Sequence, residues 1–130
     1  MGLVSAVTVY WELPNLTEIY LEDSWVLNVV AEPSTLTFKM EFVLREGHPN
    51  YHPPKPGEQY CYMPGLLIFP EVASLSWEGP SVRPTVDATG EKDYGSVDEF
   101  RVEDGGYRLI GDFGDIRVSS AAPEVLLDWA

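Results

Sequence analysis

The chain of 130 residues carries 21 acidic residues against eight Lys and Arg, for a net charge of −13, and its residues include four Trp, 11 Gly and 11 Pro. This length predicts one domain, residues 1–130, that buries about two thirds of its unfolded surface without a metal or a disulfide. Direct nucleic-acid binding is disfavoured, because phosphate contacts need clustered Lys and Arg and none are clustered here. No apolar run approaches the ~20 residues that span a bilayer. The single cysteine, Cys61, excludes an intrachain disulfide and favours a reducing, cytoplasmic setting for a soluble protein.

The residue pattern in the N-terminal third of the chain predicts strands separated by turn residues. Residues 7–11 are expected to form an edge strand, and residues 16–22 alternate between two faces. Asp23-Ser24 is expected to break the run before residues 25–32 resume it. Both faces of 25–32 are largely apolar, with Trp25, Leu27, Val29 and Ala31 on one side. A central position in a sheet is therefore expected for this strand.

The most regular segment is residues 35–45, in which apolar and polar residues alternate. Period-two patterning of this kind predicts a half-buried strand, whereas the same residues on a helix would scatter around the cylinder. The segment Glu32-Pro33-Ser34 supplies turn chemistry just before it. A hairpin pairing 25–32 with 35–45 is therefore predicted. The residues predicted to face the core are Leu36, Phe38, Met40, Phe42 and Leu44.

Residues 46–64 differ from the rest because they contain five prolines. Proline excludes a helix interior and removes a donor from a sheet ladder. Most connections in compact domains take ~4–6 residues, so a loop this long is more than a connection. Its tyrosines predict that it packs over the sheet.

The C-terminal half alternates short strand patterns with Gly and Pro. Asp104-Gly105-Gly106 predicts a tight hairpin turn, and Gly111-Asp112-Phe113-Gly114-Asp115 predicts another turn. About eight to ten short strands with these turns predict an all-β fold, either an antiparallel β-sandwich or a partly open barrel. The strand pieces expected here are 66–69, 72–78, 97–103, 107–111, 116–120 and 124–129.

Several short stretches, taken in order, resemble a loose group of small, uncharacterised bacterial β proteins. The resemblance covers roughly residues 15–128. Some members of that group are regarded as immunity proteins that neutralise toxins. The resemblance thus implies a β fold and a protein partner, and it transfers no catalytic residue. The stretches are Leu-Glu-Asp-Ser-Trp-Val-Leu (21–27), His-Pro (48–49), Cys-Tyr (61–62), Leu-Ile-Phe-Pro (67–70), Gly-Glu-Lys-Asp-Tyr-Gly-Ser-Val-Asp (90–98) and Gly-Asp-Phe-Gly (111–114).

The only His and Cys residues of the chain, His48, His52 and Cys61, lie in one loop. Zinc takes such ligands in tetrahedral sets. The spacing matches no common zinc finger, and a fourth ligand would have to be an acid such as Glu46 or Glu58. We therefore expect a pair of loop histidines and a partly buried cysteine, with no cofactor.

The acidic residues near the second irregular stretch, residues 79–95, are the candidates for a partner site. Acidic patches attract basic proteins and speed their encounter. The segment 87–99 also offers oxygen ligands for calcium, but its glycine stands fourth rather than sixth, so a solvated acidic loop is favoured. The candidate partner-binding residues are Glu91, Asp93, Asp98 and Glu99.

Three classes of function stay open at this point. The leading hypothesis is a protein-binding module, such as an immunity-type inhibitor that caps a basic toxin. The second is a small-ligand β barrel, in which Trp11, Trp25, Trp77 and Trp129 with the tyrosines line a pocket. The third is a hydrolase or a metal-dependent enzyme that uses the 46–62 loop. It is disfavoured because no Gly-x-Ser-x-Gly nucleophile motif occurs and the His and Cys spacing matches no common zinc site. The sequence leaves the oligomeric state open, with a homodimer among the alternatives.

Overall fold

The chain folds into two antiparallel four-stranded sheets. The computed structural model describes residues 10–13, 15–79, 95–103 and 105–127, and the backbone of 85–86 and 92–93. The strands of this described part are β1 (Ile19–Ala31), β2 (Thr35–Leu44), β3 (Cys61–Pro70), β4 (Ser74–Glu78), β5 (Thr85–Val86), β6 (Lys92–Asp93), β7 (Val97–Glu103), β8 (Gly106–Gly111), β9 (Gly114–Ser119) and β10 (Glu124–Leu127).

The strand order divides these elements between two layers. We name the sheet with the order β1-β2-β3-β10 sheet I and the sheet with the order β4-β9-β8-β7 sheet II; β5 and β6 form a separate two-stranded ribbon. Every pairing is antiparallel. The predicted all-β architecture is confirmed, and the sheets do not close into a barrel.

The strand β2 has the two faces that its sequence predicts. Its five alternating apolar residues, Leu36 to Leu44, are buried to 3% exposure or less. The predicted hairpin is also present, since Ala31 pairs with Leu36 and the N–H of Glu32 donates to the carbonyl of Thr35 over 2.8 Å.

The strand β1 departs from the prediction in three ways. It runs unbroken through Asp23 and Ser24, where the register slips against β2. It lies at the edge of sheet I rather than at its centre. A second slip between Val26 and Asn28 turns Val29 inward, while Trp25 on its predicted face points to solvent. Each slip inserts extra residues and changes which face the following residues occupy.

A buried serine holds the first slip of β1 in place. The hydroxyl of Ser24 donates to the carbonyl of Tyr20 and accepts the N–H of Val43, both over 2.8 Å. The hydroxyl thus accepts the backbone N–H of Val43 in β2, at the slip where the backbone of β1 supplies no acceptor for it. Among the described residues, Ser24 is the only buried polar side chain.

The Pro-rich loop is shorter than predicted, because β3 already begins at Cys61. Pro64 therefore lies inside a strand, opposite Glu41 of β2. The strand β10 covers β3 only from Gly65 to Ile68. Pro64 is tolerated because β3 has one paired neighbour at that point, so the missing donor leaves no partner from β10 unpaired.

The core lies between the two sheets and is rich in aromatic rings. Phe38 of sheet I meets Phe113 edge to face, with ring centroids 5.3 Å apart. Phe69 contacts Phe100 and Tyr107 of sheet II at centroid distances of 6.0 and 5.5 Å. Phe113 occupies the predicted turn between β8 and β9 yet is fully buried. The turn thus contributes to the core as well as connecting strands.

The two ends of the described chain differ in how they match the prediction. Residues Tyr10–Glu12 form a short 3-10 helix rather than a strand, and the rest of the predicted 7–11 strand lies outside the described residues. The hydroxyl of Tyr10 donates to Glu22 and accepts the N–H of Leu21. The predicted last strand is present over Glu124–Leu127.

Candidate functional site

The outer face of sheet I is unusually apolar for a surface. Four of the five large hydrophobic side chains that are exposed among the described residues lie on it, including Trp25 at 42% and Leu126 at 54% exposure. The pairing register places two partly buried apolar side chains on the same face, since Leu66 stands opposite Leu126 and Ile68 opposite Glu124. We name this surface the aromatic face; it consists of Tyr20, Trp25, Val30, Tyr62, Leu66, Ile68 and Leu126.

Charged side chains are interspersed with these apolar ones. Glu41 is the cross-strand partner of Trp25, Lys39 that of Asn28, and Glu124 that of Ile68. Glu32 is exposed at the hairpin end of the same sheet. The aromatic face is therefore an apolar surface in which mainly acidic side chains are interspersed. This combination suits contact with a partner that carries positive charge.

At one end of the aromatic face, the sheet and the Pro-rich loop enclose an open groove of about 440 Å³. The guanidinium of Arg45 lies over the ring of Tyr20, 5.0 Å from its centroid, in cation–π geometry. Tyr60 packs edge to face on Tyr62 at 6.1 Å. We name this feature the tyrosine groove; its polar and aromatic walls are Glu18, Tyr20, Arg45, Glu46, Tyr51 and Tyr60.

Electrostatic contacts fix two walls of the tyrosine groove. A hydrogen bond to the carboxylate of Asp23 raises the pKa of the Tyr60 phenol above its ordinary value, because an adjacent negative charge disfavours phenolate. Glu18 accepts the backbone N–H of Gly47 over 3.1 Å. The carbonyl of Glu18 also accepts the N–H of Arg45 over 2.8 Å. These bonds tie the start of the loop to the start of β1.

The Pro-rich loop itself is held by backbone hydrogen bonds. The N–H of His48 donates to Arg45 and that of Tyr51 donates to His48, each over 3.0 Å. The Nδ1 atom of His48 accepts the N–H of Asn50, also over 3.0 Å. Tyr51 packs against the hydrophobic core. The loop is therefore built onto the sheet, as its tyrosines predict.

The three candidate metal ligands are occupied with other contacts. The thiol of Cys61 is buried and accepts the backbone N–H of His52 over 3.4 Å. The Nδ1 atom of His52 lies 2.9 Å from the carbonyl of Pro53, and that of His48 faces Asn50. Within the described residues, no group of three or more His, Cys, Asp and Glu side chains is placed to hold a metal ion. The thiol is likewise paired with a backbone amide rather than with an imidazole base.

The predicted acidic patch is only partly within the described residues. Glu91 lies outside them, and Asp93 contributes its backbone to β6. Asp98 is exposed at a register slip in β7. Glu99 accepts a hydrogen bond from Nε of Arg101 over 2.9 Å, so part of its charge is neutralised. The proposed role of Glu91, Asp93, Asp98 and Glu99 in partner binding stays a prediction.

The three tryptophans that the structure describes do not gather around one enclosed ligand cavity. Trp11 and Trp25 are exposed, and Nε1 of Trp77 donates to the carbonyl of Phe113 over 2.8 Å. Trp129 lies outside the described residues. Alternation alone does not predict the outward position of Trp25, because an apolar second face on a strand favours a central position in the sheet. The same pattern also occurs on an edge strand with an exposed apolar face.

The fold and this surface define the class of the protein, a two-sheet antiparallel β protein whose aromatic face carries interspersed acidic side chains. In comparisons with known proteins, no family model matched the chain, and neither the curated proteins nor the solved structures gave a match. No helix in the described ranges is long and apolar enough to cross a membrane.

Proposed function

We propose that the protein is a binding module for a basic protein partner, which docks on the aromatic face of sheet I. The observation that carries the proposal is the gathering of Tyr20, Trp25, Val30 and Leu126 on one surface. Single exposed apolar residues are common on proteins, whereas several large ones gathered on one face are typical of an interaction site. Trp and Tyr also dominate the residues that carry interface energy.

The negative net charge of the chain favours a basic partner. At a net charge of −13, a second copy would be repelled, whereas a basic protein would be attracted and steered. Glu41 and Glu124 lie within the face, so the attraction acts where the contact forms. An immunity-type inhibitor that caps a basic toxin is one form of this function. A reducing cytoplasmic setting suits it, because Cys61 is a free thiol.

The tyrosine groove supports the second candidate, the binding of a small ligand. Its volume of about 440 Å³ falls within the range of ligand pockets. The ring of Tyr20 already holds the guanidinium of Arg45, so the rings of Tyr51 and Tyr60 beside the carboxylates of Glu18 and Glu46 would be the ones to suit a cationic group. The groove opens beside Tyr20 on the aromatic face, so a basic side chain of the partner could also occupy it.

The test compares two tryptophans of nearly equal exposure. Trp25 lies on the aromatic face at 42% exposure, and Trp11 lies in the N-terminal 3-10 helix at 43%. A photo-cross-linking residue placed at Val30 would identify the partner in cells. Binding of the purified partner to Trp25→Ala and Trp11→Ala would then be measured by calorimetry. We expect Trp25→Ala to weaken binding by roughly thirtyfold or more, as interface hot spots do, and Trp11→Ala to change it little.

Three results would contradict the proposal. Equal binding by the two variants would show that the partner does not contact the aromatic face. A partner without net positive charge would refute the electrostatic argument. A concentration-dependent dimer that Trp25→Ala dissociates, seen by sedimentation, would assign the face to self-association instead.

A further inference from the structure

The outer face of sheet II carries a row of three arginines. Arg101 of β7 is the cross-strand partner of Arg108 of β8, which is in turn the partner of Arg117 of β9. Like charges directly opposite one another on a sheet are destabilising. Three of the eight Lys and Arg of the chain are therefore placed where their mutual repulsion has to be offset by other contacts.

Within the described ranges, two of the three arginines are hydrogen-bonded to a carboxylate, and the third interacts with Asp115 only through its charge. Arg101 pairs with Glu99. Arg108 donates to both oxygens of Asp115 over 3.0 and 2.7 Å, a bidentate pair. This pair raises the pKa of Arg108 and lowers that of Asp115, because each charge stabilises the other. Arg117 is exposed and makes no hydrogen bond or ion pair with any side chain of the described ranges.

Three serine side chains share the outer face of sheet II with Arg117. Ser76 of β4 is the cross-strand partner of Arg117, and Ser74 is that of Ser119. Because residues two apart on a strand share a face, all four side chains project from the same side of the sheet. Together with Gly105 and Gly106, they border an open depression of about 290 Å³. None of the three hydroxyls is used in a hydrogen bond within the described part of the chain.

We propose that this depression is an oxyanion-binding site, with Arg117 as the charged donor and Ser74, Ser76 and Ser119 as neutral donors. A guanidinium fork fits two oxygens of a phosphate or carboxylate group, and the hydroxyls supply donors for the others. The site lies in sheet II, so it is separate from the aromatic face and independent of the proposed function. Glu103 also borders the depression. Its charge opposes anion binding and limits the affinity.

The experiment titrates the protein with sodium phosphate while amide resonances are followed by NMR. Sodium acetate is titrated in parallel, and chloride holds the ionic strength constant, because screening alters every charge contact. We expect saturable shifts at Ser76, Arg117 and Ser119. Arg117→Gln should weaken the binding by about tenfold or more, the value of a hydrogen bond to a charged group. Glu103→Gln should tighten it by removing the repulsion.

The matched control is Arg101→Gln, at the far end of the same row and already paired with Glu99. It removes the same charge without changing the depression, so phosphate binding should stay within about twofold of the wild type. A preference for phosphate would assign the site to phosphorylated ligands, and equal binding of acetate would assign it to carboxylates; both support the proposal. Shifts that do not saturate, or equal losses in Arg117→Gln and Arg101→Gln, would overturn it.

Discussion

The buried hydroxyl of Ser24 accepts the backbone N–H of Val43 over 2.8 Å, at the place where β1 slips out of register with β2. Ser24→Ala should therefore leave a buried donor unpaired. A loss of about 1–3 kcal/mol in the free energy of unfolding is expected. Urea denaturation of Ser24→Ala and of Ser74→Ala, whose hydroxyl is exposed, measures the difference. Equal midpoints for the two variants would show that the serine does not hold the slip.

The second prediction concerns the central strand of the core. Phe38 is fully buried between the sheets, whereas Lys39 lies on the outer face. Phe38→Asp should prevent folding, since it places an unpaired charge among apolar side chains, and Lys39→Asp should be mild. Phe38→Ala should cost about 3–5 kcal/mol through lost contacts and a cavity. Circular dichroism melts check the order, and comparable melts for both Asp variants would refute the assigned register.

The third prediction concerns the histidine at the start of the Pro-rich loop. Partial burial lowers the pKa of His48 from its ordinary 6.5, and the charge of Glu18 opposes that shift in part. Because the folded-state pKa lies below the unfolded one, the unfolded chain binds the proton more readily. The contribution of His48 to stability is therefore present above pH ~6.5 and is lost as the pH falls through the folded-state pKa.

An NMR titration of the imidazole resonances tests this sign. The midpoint of His48 should lie below 6.5, and its protonation should also break the hydrogen bond from Asn50 to Nδ1. The variant His48→Gln, which has no titrating group, should lose less stability between pH 7 and pH 5 than the wild type does. A midpoint above 6.5, or identical pH profiles for the two proteins, would contradict the prediction.

The fourth prediction separates two acidic regions as sites of partner attraction. Asp98 belongs to the patch predicted from the sequence, and Glu124 lies within the aromatic face. Both side chains are exposed, so Asp98→Lys and Glu124→Lys change the net charge equally with little effect on the fold. The association rate with the partner identified by cross-linking, measured by stopped flow, should fall more for Glu124→Lys than for Asp98→Lys. It should also fall steeply with salt, since screening acts over ~8–10 Å. If Asp98→Lys lowered the association rate more, the partner would instead contact the acidic patch predicted from the sequence.

The fifth prediction concerns metal removal. A ligand that binds only the native state raises the melting temperature, and its removal lowers it. With His48 and Cys61 engaged in other hydrogen bonds, EDTA should leave the melting temperature unchanged. Mass spectrometry under native conditions provides the control for bound metal. A drop of several degrees that zinc or calcium reverses would refute the expectation of no metal.

Local patterning in the sequence determined the strands whose two faces differ. The alternation from Leu36 to Leu44 predicted β2 and its buried side, and the glycines at 105, 106, 111 and 114 predicted both hairpins of sheet II. These features depend on the period of a strand and on backbone conformations near a turn, which adjacent residues control. Gly105 and Gly114 indeed have φ values of 85° and 121°, which other residues rarely adopt.

Only the tertiary structure decided which strands are edges and which apolar residues face solvent. Trp25 and Val29 stand on one face by simple alternation, yet the slip between Val26 and Asn28 sends Val29 inward and leaves Trp25 outside. The alignment of Arg101, Arg108 and Arg117 was equally hidden, because it depends on the register of three separate strands. Strand register and sheet order arise from contacts between residues far apart in the chain. The aromatic face and the depression beside Arg117 therefore both depend on strand pairing, and the residue pattern of a single segment does not predict either of them.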